Sequence, residues 1–218
     1  MSTISAPILR RGKNKASKYK YDGISFDSQE EIDFYLFLKD ALKHKLIKSY
    51  EYQPKAFELI PKVVEKIKIP YKRKGGYKIV EKTILQPHIY TADWLFFITP
   101  KFNKLFPRHK LKVGKGGSVY VDIKGSHNKY GGDRVFPINQ KLLYMTHGIY
   151  VNKVVPIEFF KSIRCAPDEL RWMKKRKIKT LRKHYRGISS FEEILLNNKN
   201  NKQQIEGEEQ EINVPFLK

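Results

Sequence analysis

The sequence predicts an α/β fold whose core runs helix, strand, strand, strand, helix, strand. Three observations carry that expectation. The amphipathic segment "SQEEIDFYLFLKDALKHKLI" reads as a long first helix. The runs "HIYTADWLFFIT" and "VYVDIKGS" read as strands, one apolar on both alternating faces and one alternating. The segment "PINQKLLYMTHG" begins with proline and ends with glycine, as short helices do, and the strand-like "IYVNKVVP" follows it.

Taken in order, residues 1–20 carry six Lys or Arg and no acid, which marks a flexible basic arm. Asp22-Gly23 is a hairpin-type turn signal. In the first helix Tyr35, Leu38 and Leu42 form one stripe, and Ser28 stands where an N-cap belongs. "IKSYEYQPKAFELIP" is strand-like but interrupted by Pro54, and "VVEKIKIPYKRKGGYKIVEKTILQ" alternates around Gly75-Gly76 as a basic hairpin would. Residues 101–117, with six Lys or Arg and no acid, read as a basic connecting loop, and "SHNKYGGDRVF" as a glycine-containing loop. Residues 21–160 form the expected core. From 161 to 186 there are eleven basic residues and two acids, "KKRKIK" among them, which suggests a basic helical extension over 161–190; the Asn-, Gln- and Glu-rich remainder, 191–218, reads as a polar, partly disordered tail.

Composition narrows the partners. Of 218 residues, 44 are Lys or Arg and 22 are Asp or Glu, a formal charge of +22 that exceeds any need of solubility and points to a polyanion, with nucleic acid first among them. A hydrophobic fraction of 40% is enough for one substantial core. No run of 18 apolar residues and no apolar leader is present, so a soluble protein of the cytoplasm, with no membrane partner, is expected. The single Cys165 fits a reducing compartment, and the six His lack metal-ligand spacing, which argues against structural zinc.

The residues with chemistry in them are Glu31, Asp93, Asp122 and Lys124. Alternation along a strand puts Asp122 and Lys124 on one face, about 7 Å apart at Cα. Alone, such a triplet is an exposed charge pair. Asp93 falls inside an apolar run, where an unpaired carboxylate requires a cation or hydrogen-bond donors. Glu31 follows Ser28 in an S-x-x-E pattern, and taken alone it is better explained as the far half of a capping box bonded back to the Ser28 amide. Together, an acid on the first helix, one on a buried strand and a D-x-K on the next strand form a different pattern. Three carboxylates can hold Mg²⁺, with Mn²⁺ as the substitute, and leave coordination sites for water and phosphate. Lys124 would orient or deprotonate the attacking water and stabilise charge at phosphorus. That is phosphodiester hydrolysis.

The stretches "YDGISFDSQEEIDFYLFLK", "EYQPKAFELIPK", "YTADWLF" and "VDIKG" resemble the PD-(D/E)xK nuclease superfamily, and more narrowly a family of small phage-encoded endonucleases related to Holliday-junction resolvases. The resemblance covers residues 21–155. It implies a restriction-endonuclease-like αβββαβ core with a mixed central sheet, Glu31, Asp93 and Asp122 as metal-binding acids, Lys124 as the catalytic lysine, a homodimer, and cleavage of branched or structured DNA in the host cytoplasm. Two departures stand out: Ala92, not proline, precedes Asp93, and Asp122 stands where many members have Glu. Gln140 and Tyr144 resemble a Q-x-x-x-Y element of exonuclease-like members. The basic segments supply DNA contacts: Lys72, Arg73 and Lys74 in the hairpin, Arg108 and Lys110 in the 101–117 loop, Lys129, Arg134 and Lys141 around the second helix, and Lys174, Lys175, Arg176 and Lys177 in the extension. Other readings stay open: a nicking or sequence-specific endonuclease, a recombination exonuclease, or a non-catalytic DNA-binding protein on a nuclease-like core.

Overall fold

The computed structural model describes residues 19–71, 75–125, 134–175, 178–198 and 200, with only the backbone described over 173–175 and 178–180. It is a mixed α/β protein. Strands β1 (Tyr19–Tyr21) and β2 (Ile24–Phe26) form a hairpin whose turn, Asp22-Gly23, has positive φ at both positions, 49° and 77°, as a two-residue hairpin loop requires. Helix α1 (Gln29–Lys43) follows, capped by Ser28, whose Oγ accepts the Glu31 N–H.

β3 (Ile47–Tyr52) enters the central sheet. β4 (Phe57–Ile60) pairs instead with β7 (His88–Tyr90), and between them β5 (Val63–Pro70) and β6 (Tyr77–Leu85) form a separate antiparallel hairpin, as alternation around Gly75-Gly76 suggests. The chain returns to the central sheet as β8 (Trp94–Ile98). Helix α2 (Pro100–Leu105), strand β9 (Ser118–Ile123), helix α3 (Val135–His147) and strand β10 (Val151–Val154) complete it. The sheet order is β10-β9-β8-β3; β3/β8 and β8/β9 are antiparallel and β9/β10 parallel. Counting only α1, α3 and the strands of this sheet, the chain order is the helix-strand-strand-strand-helix-strand series expected.

The two faces of the sheet have separate cores. On one, Trp94, Phe96, Val119 and Val121 meet α1; on the other, Tyr120 and Val151 pack with Phe136 and Leu143 of α3. Buried on both sides, α1 carries no single stripe. Tyr35 stacks on Trp94 at 5.8 Å and Phe34 bridges Phe96 of the sheet and Phe159, while Phe37 packs on Phe159, Phe160 and Phe191. Leu42, expected on the buried stripe, is 39% exposed, because the helix is already near its end there.

Four expectations are corrected. "HIYTADWLFFIT" is two strands, β7 and β8, belonging to different ladders, with a break at residues 91–93; Asp93 lies just before the central strand, not within it. The 101–117 stretch is not a plain loop, since Pro100 starts α2 and Phe102 and Phe106 anchor it in the core. Helix α3 starts two residues before Pro137, a position whose amide has no helical partner to lose.

The fourth concerns the C-terminal part. Helix α4 (Pro156–Ile163) and α5 (Asp168–Arg171) are followed by a β-hairpin, β11 (Trp172–Lys175) with β12 (Ile178–Leu181), where a helical extension was expected. Phe160, Ile163, Leu170, Tyr185, Ile188 and Phe191 belong to the same core as α1, so a boundary near residue 161 would cut through one packed unit. The tail is helical over 191–198, and Ser190 and Glu193 exchange hydrogen bonds in a capping box at its start; residues 201–218 lie outside the described residues. No helix among the described residues is long and apolar enough to cross a membrane.

Candidate active site

The register of β8 on β9 creates the site. Trp94 pairs with Val121, and the Asp93 N–H donates to the Val121 carbonyl at 3.0 Å, so Asp93 comes to lie opposite Asp122. Trp94 and Val121 point into the α1 core, and alternation therefore turns Asp93 and Asp122 together to the α3 face. Asp93 Oδ2 also accepts the Ile123 N–H at 2.6 Å. That bond holds the carboxylate at the point where β7 and β8 part, a physical reason for the break at 91–93.

Two carboxylates side by side and largely out of water each disfavour the charged form of the other. Burial first, then the charge of Asp122, pushes the Asp93 carboxyl up to about 8; Glu31 adds to the rise, and the Ile123 amide opposes it. Asp93 therefore keeps its proton to a higher pH than a free aspartate does, and a side-chain hydrogen bond with Asp122 adds to that rise. Asp122 is buried, and Lys124 Nζ sits 2.6 Å from its Oδ2, over the Phe136 ring at 5.6 Å. The D-x-K face drawn from alternation is the arrangement found.

Glu31 is held differently. Its Oε1 accepts the Ser28 hydroxyl at 3.1 Å, and its Oε2 accepts the Tyr52 hydroxyl at 2.8 Å and the Asp27 N–H at 3.3 Å. This is a capping arrangement, but the bonded amide is that of Asp27 and not that of Ser28. The Glu31 charge is nevertheless felt at Asp93 and at Tyr52, whose hydroxyl is pushed well above its ordinary range by burial and by that hydrogen bond. The structure therefore joins Asp93, Asp122 and Lys124 and leaves Glu31 engaged beside them. Among the described residues, no group of three or more His, Cys, Asp or Glu side chains is arranged to hold a metal ion.

Three participants escaped the sequence reading. Tyr52 is one. Tyr90 is another: its hydroxyl is buried without a hydrogen-bond partner among the described residues, and its pKa is raised by burial and then by the charges of Asp122 and Asp93. Glu30 is the third. A Cβ on Gly125 would lie 3.2 Å from Glu30 Oε1, so the small residue after Lys124 makes room for a carboxylate of α1, where close approach of backbone or DNA was expected. Only the doubled acid in "SQEE" hinted at Glu30; the two tyrosines reach the site through tertiary packing alone.

Gln140 donates to the Val151 carbonyl at 2.6 Å and so ties α3 to β10, while Tyr144 stands exposed. Of the expected DNA contacts, Arg108, Lys110, Arg134 and Lys141 are exposed. Lys72, Arg73, Lys74, Lys129, Arg176 and Lys177 lie outside the described residues, and Lys174 and Lys175 are placed on β11 by backbone alone.

No family model matches this chain, and comparisons with curated proteins and with solved structures find no match either.

Proposed function

We propose that the protein is a divalent-metal-dependent DNA endonuclease of the PD-(D/E)xK type, acting on branched or structured DNA. The observation that carries this reading is the Asp93–Asp122 pair on adjacent antiparallel strands, with Lys124 against Asp122. Two acids held so close each disfavour the charged form of the other, and a divalent cation between them would relieve that repulsion. The donors are hard oxygens, which suit Mg²⁺ or Mn²⁺ and not a softer metal. Asp93 and Asp122 would hold the ion, with Glu31 or Glu30 reaching in from the start of α1. Bound there, the ion would polarise the phosphoryl oxygen and acidify a water.

The remaining work falls to the chain. Asp122 positions Lys124, whose ammonium at the rim can orient the attacking water and stabilise negative charge on the phosphate oxygens. The Tyr90 hydroxyl, without a hydrogen-bond partner among the described residues, is a further donor beside the two acids.

DNA is the favoured polymer because of charge. β5, β6 and the turn between them carry seven Lys or Arg against two Glu, and the described part of this hairpin is exposed along most of its length. An isolated two-stranded ribbon is marginal in water. A partner that covered it would stabilise it, and an anionic one suits its charge better than a second equally basic copy would. Phosphate contacts of this kind position a duplex without reading its sequence. Symmetric cutting of a junction would call for a homodimer.

One observation favours a second reading. Every hydrogen bond found at Glu31 serves the cap or Tyr52, as it would in a non-catalytic DNA-binding protein that keeps the fold. The deciding experiment incubates the protein with labelled four-way junction, flap, linear duplex and single strand, in Mg²⁺ or in EDTA. Cuts that appear only with Mg²⁺ and vanish in Asp122→Asn support the nuclease; binding without cleavage in every lane supports the second reading.

A further inference from the structure

A second feature lies farther along the same face of β9. Beside α3 the surface opens into a cleft of about 1060 Å³, at the upper end of the size range of small-ligand pockets. Its walls include Lys112 and Lys115 from the α2–β9 connection, Tyr120 of β9, Lys141 and Tyr144 of α3, and Tyr150. Tyr144 and Tyr150 are 59% and 41% exposed, unusual for large rings on one small area. No carboxylate among the described residues lines the cleft.

The walls are braced. Asn152, buried on β10, accepts the Lys112 N–H at 2.7 Å and donates to the carbonyls of Lys112 and Tyr120, both at 3.0 Å. With the Gln140 bond to Val151, the connection, the helix and the strand form one rigid frame. An occupant would find a preformed site.

Ammonium groups interleaved with exposed ring faces, and no acid between them, fit a strand whose phosphates meet the lysines and whose bases stack on the tyrosines. A continuous duplex cannot use the rings, because its base faces are already stacked on one another. Tyr120 and Asp122 share one face of β9 two residues apart, about 7 Å at Cα, so a strand crossing the carboxylates can continue into the cleft.

We propose that this cleft holds an unpaired DNA strand leading away from the Asp93–Asp122 centre, so that the substrate class is DNA with a single-stranded branch or flap and not uninterrupted duplex. The inference rests on the nuclease reading for the centre itself, but it is tested apart from cleavage.

The test is fluorescence anisotropy of a labelled six-nucleotide oligothymidine and of a blunt duplex, with the wild type, Tyr144→Ala, Tyr144→Phe and the double variant Tyr144→Ala/Tyr150→Ala. Both positions are exposed, so folding is not at stake. Tyr144→Ala should weaken oligothymidine binding about 5- to 150-fold, the range for removing one base stack, and Tyr144→Phe should retain it. Duplex affinity should stay within about twofold, since phosphate contacts dominate it. Unchanged oligothymidine affinity in the double variant would overturn the proposal, as would an equal loss for single strand and duplex. Tighter binding of an oligouridine than of the oligothymidine would overturn the choice of DNA. Failure of the nuclease reading looks different: the wild type would cut no DNA, while the tyrosine variants would still lose single-strand affinity.

Discussion

Replacing Asp93 with Asn removes a carboxyl that burial and the neighbouring Asp122 hold above its ordinary pKa. The ordinary aspartate pKa of 3.8 rises to about 8 in the folded chain, through burial and the neighbouring Asp122 charge. Because the folded pKa lies above the unfolded one, the folded state holds a proton that the unfolded chain has lost between about pH 4 and pH 8, and stability falls as pH rises through that window. At ~1.4 kcal/mol per pH unit that window caps the effect at roughly 6 kcal/mol, and partial exposure of the carboxyl brings it down to a few kcal/mol. Asn keeps an oxygen for the Ile123 N–H and removes the titration. Urea unfolding should therefore find Asp93→Asn close to wild type at pH 4 and more stable by a few kcal/mol at pH 9, with cleavage abolished. Equal wild-type stability at both pH values, or a variant less stable at pH 9, would refute the claim that these two acids are held together at a cost.

Asp122→Asn should lose cleavage but bind DNA as well as wild type or better, because a metal ligand and a charge repelling phosphate disappear together; Lys124→Ala should lose single-turnover cleavage at saturating DNA, and wild-type rates in either would refute their roles. Binding that neutralises about six to ten phosphates should weaken by a factor of roughly 10³ to 10⁵ between 50 and 200 mM salt, and changing Lys66, Lys68, Lys78 and Lys82 of the exposed hairpin to Gln should lower the salt slope by about 0.9 for each phosphate no longer neutralised; an unchanged slope would remove the hairpin from the interface. Tyr52→Phe should cost about 1.5–3 kcal/mol in urea unfolding, the worth of a hydrogen bond to a charged group, whereas a loss below about 0.5 kcal/mol would mean that Ser28 and Asp27 alone hold Glu31.

Much of this was legible because it depends on short-range periodicity. Ser28 and the helical spacing after it place α1, the alternation of "VDIK" puts Asp122 and Lys124 on one face, and Asp22-Gly23 marks its own turn. What escaped depends on contacts distant in sequence. "HIY" and "WLFFI" look alike as strand formers, and only the pairing of β7 with β4 and of β8 with β3 and β9 separates them. The lysine-rich stretch of β11 and β12 reads as charge before it reads as alternation, so its hairpin was hidden. Phe160 and Phe191 join the α1 core by packing against Phe37, more than 120 residues away in the chain, and no local pattern announces that. Tyr90 and Tyr52 approach the acids in the same way.

The measurement closest to the centre of this account is calorimetric titration of Mg²⁺ into the protein at pH 7, repeated in two buffers of different ionisation enthalpy. Because burial and Asp122 raise the Asp93 pKa, a cation bound by the pair should displace a proton and release it in measurable amount per ion bound, and Asp93→Asn should abolish the release. Binding without proton release, or no binding at millimolar Mg²⁺, would contradict the assignment of this pair as a cation site.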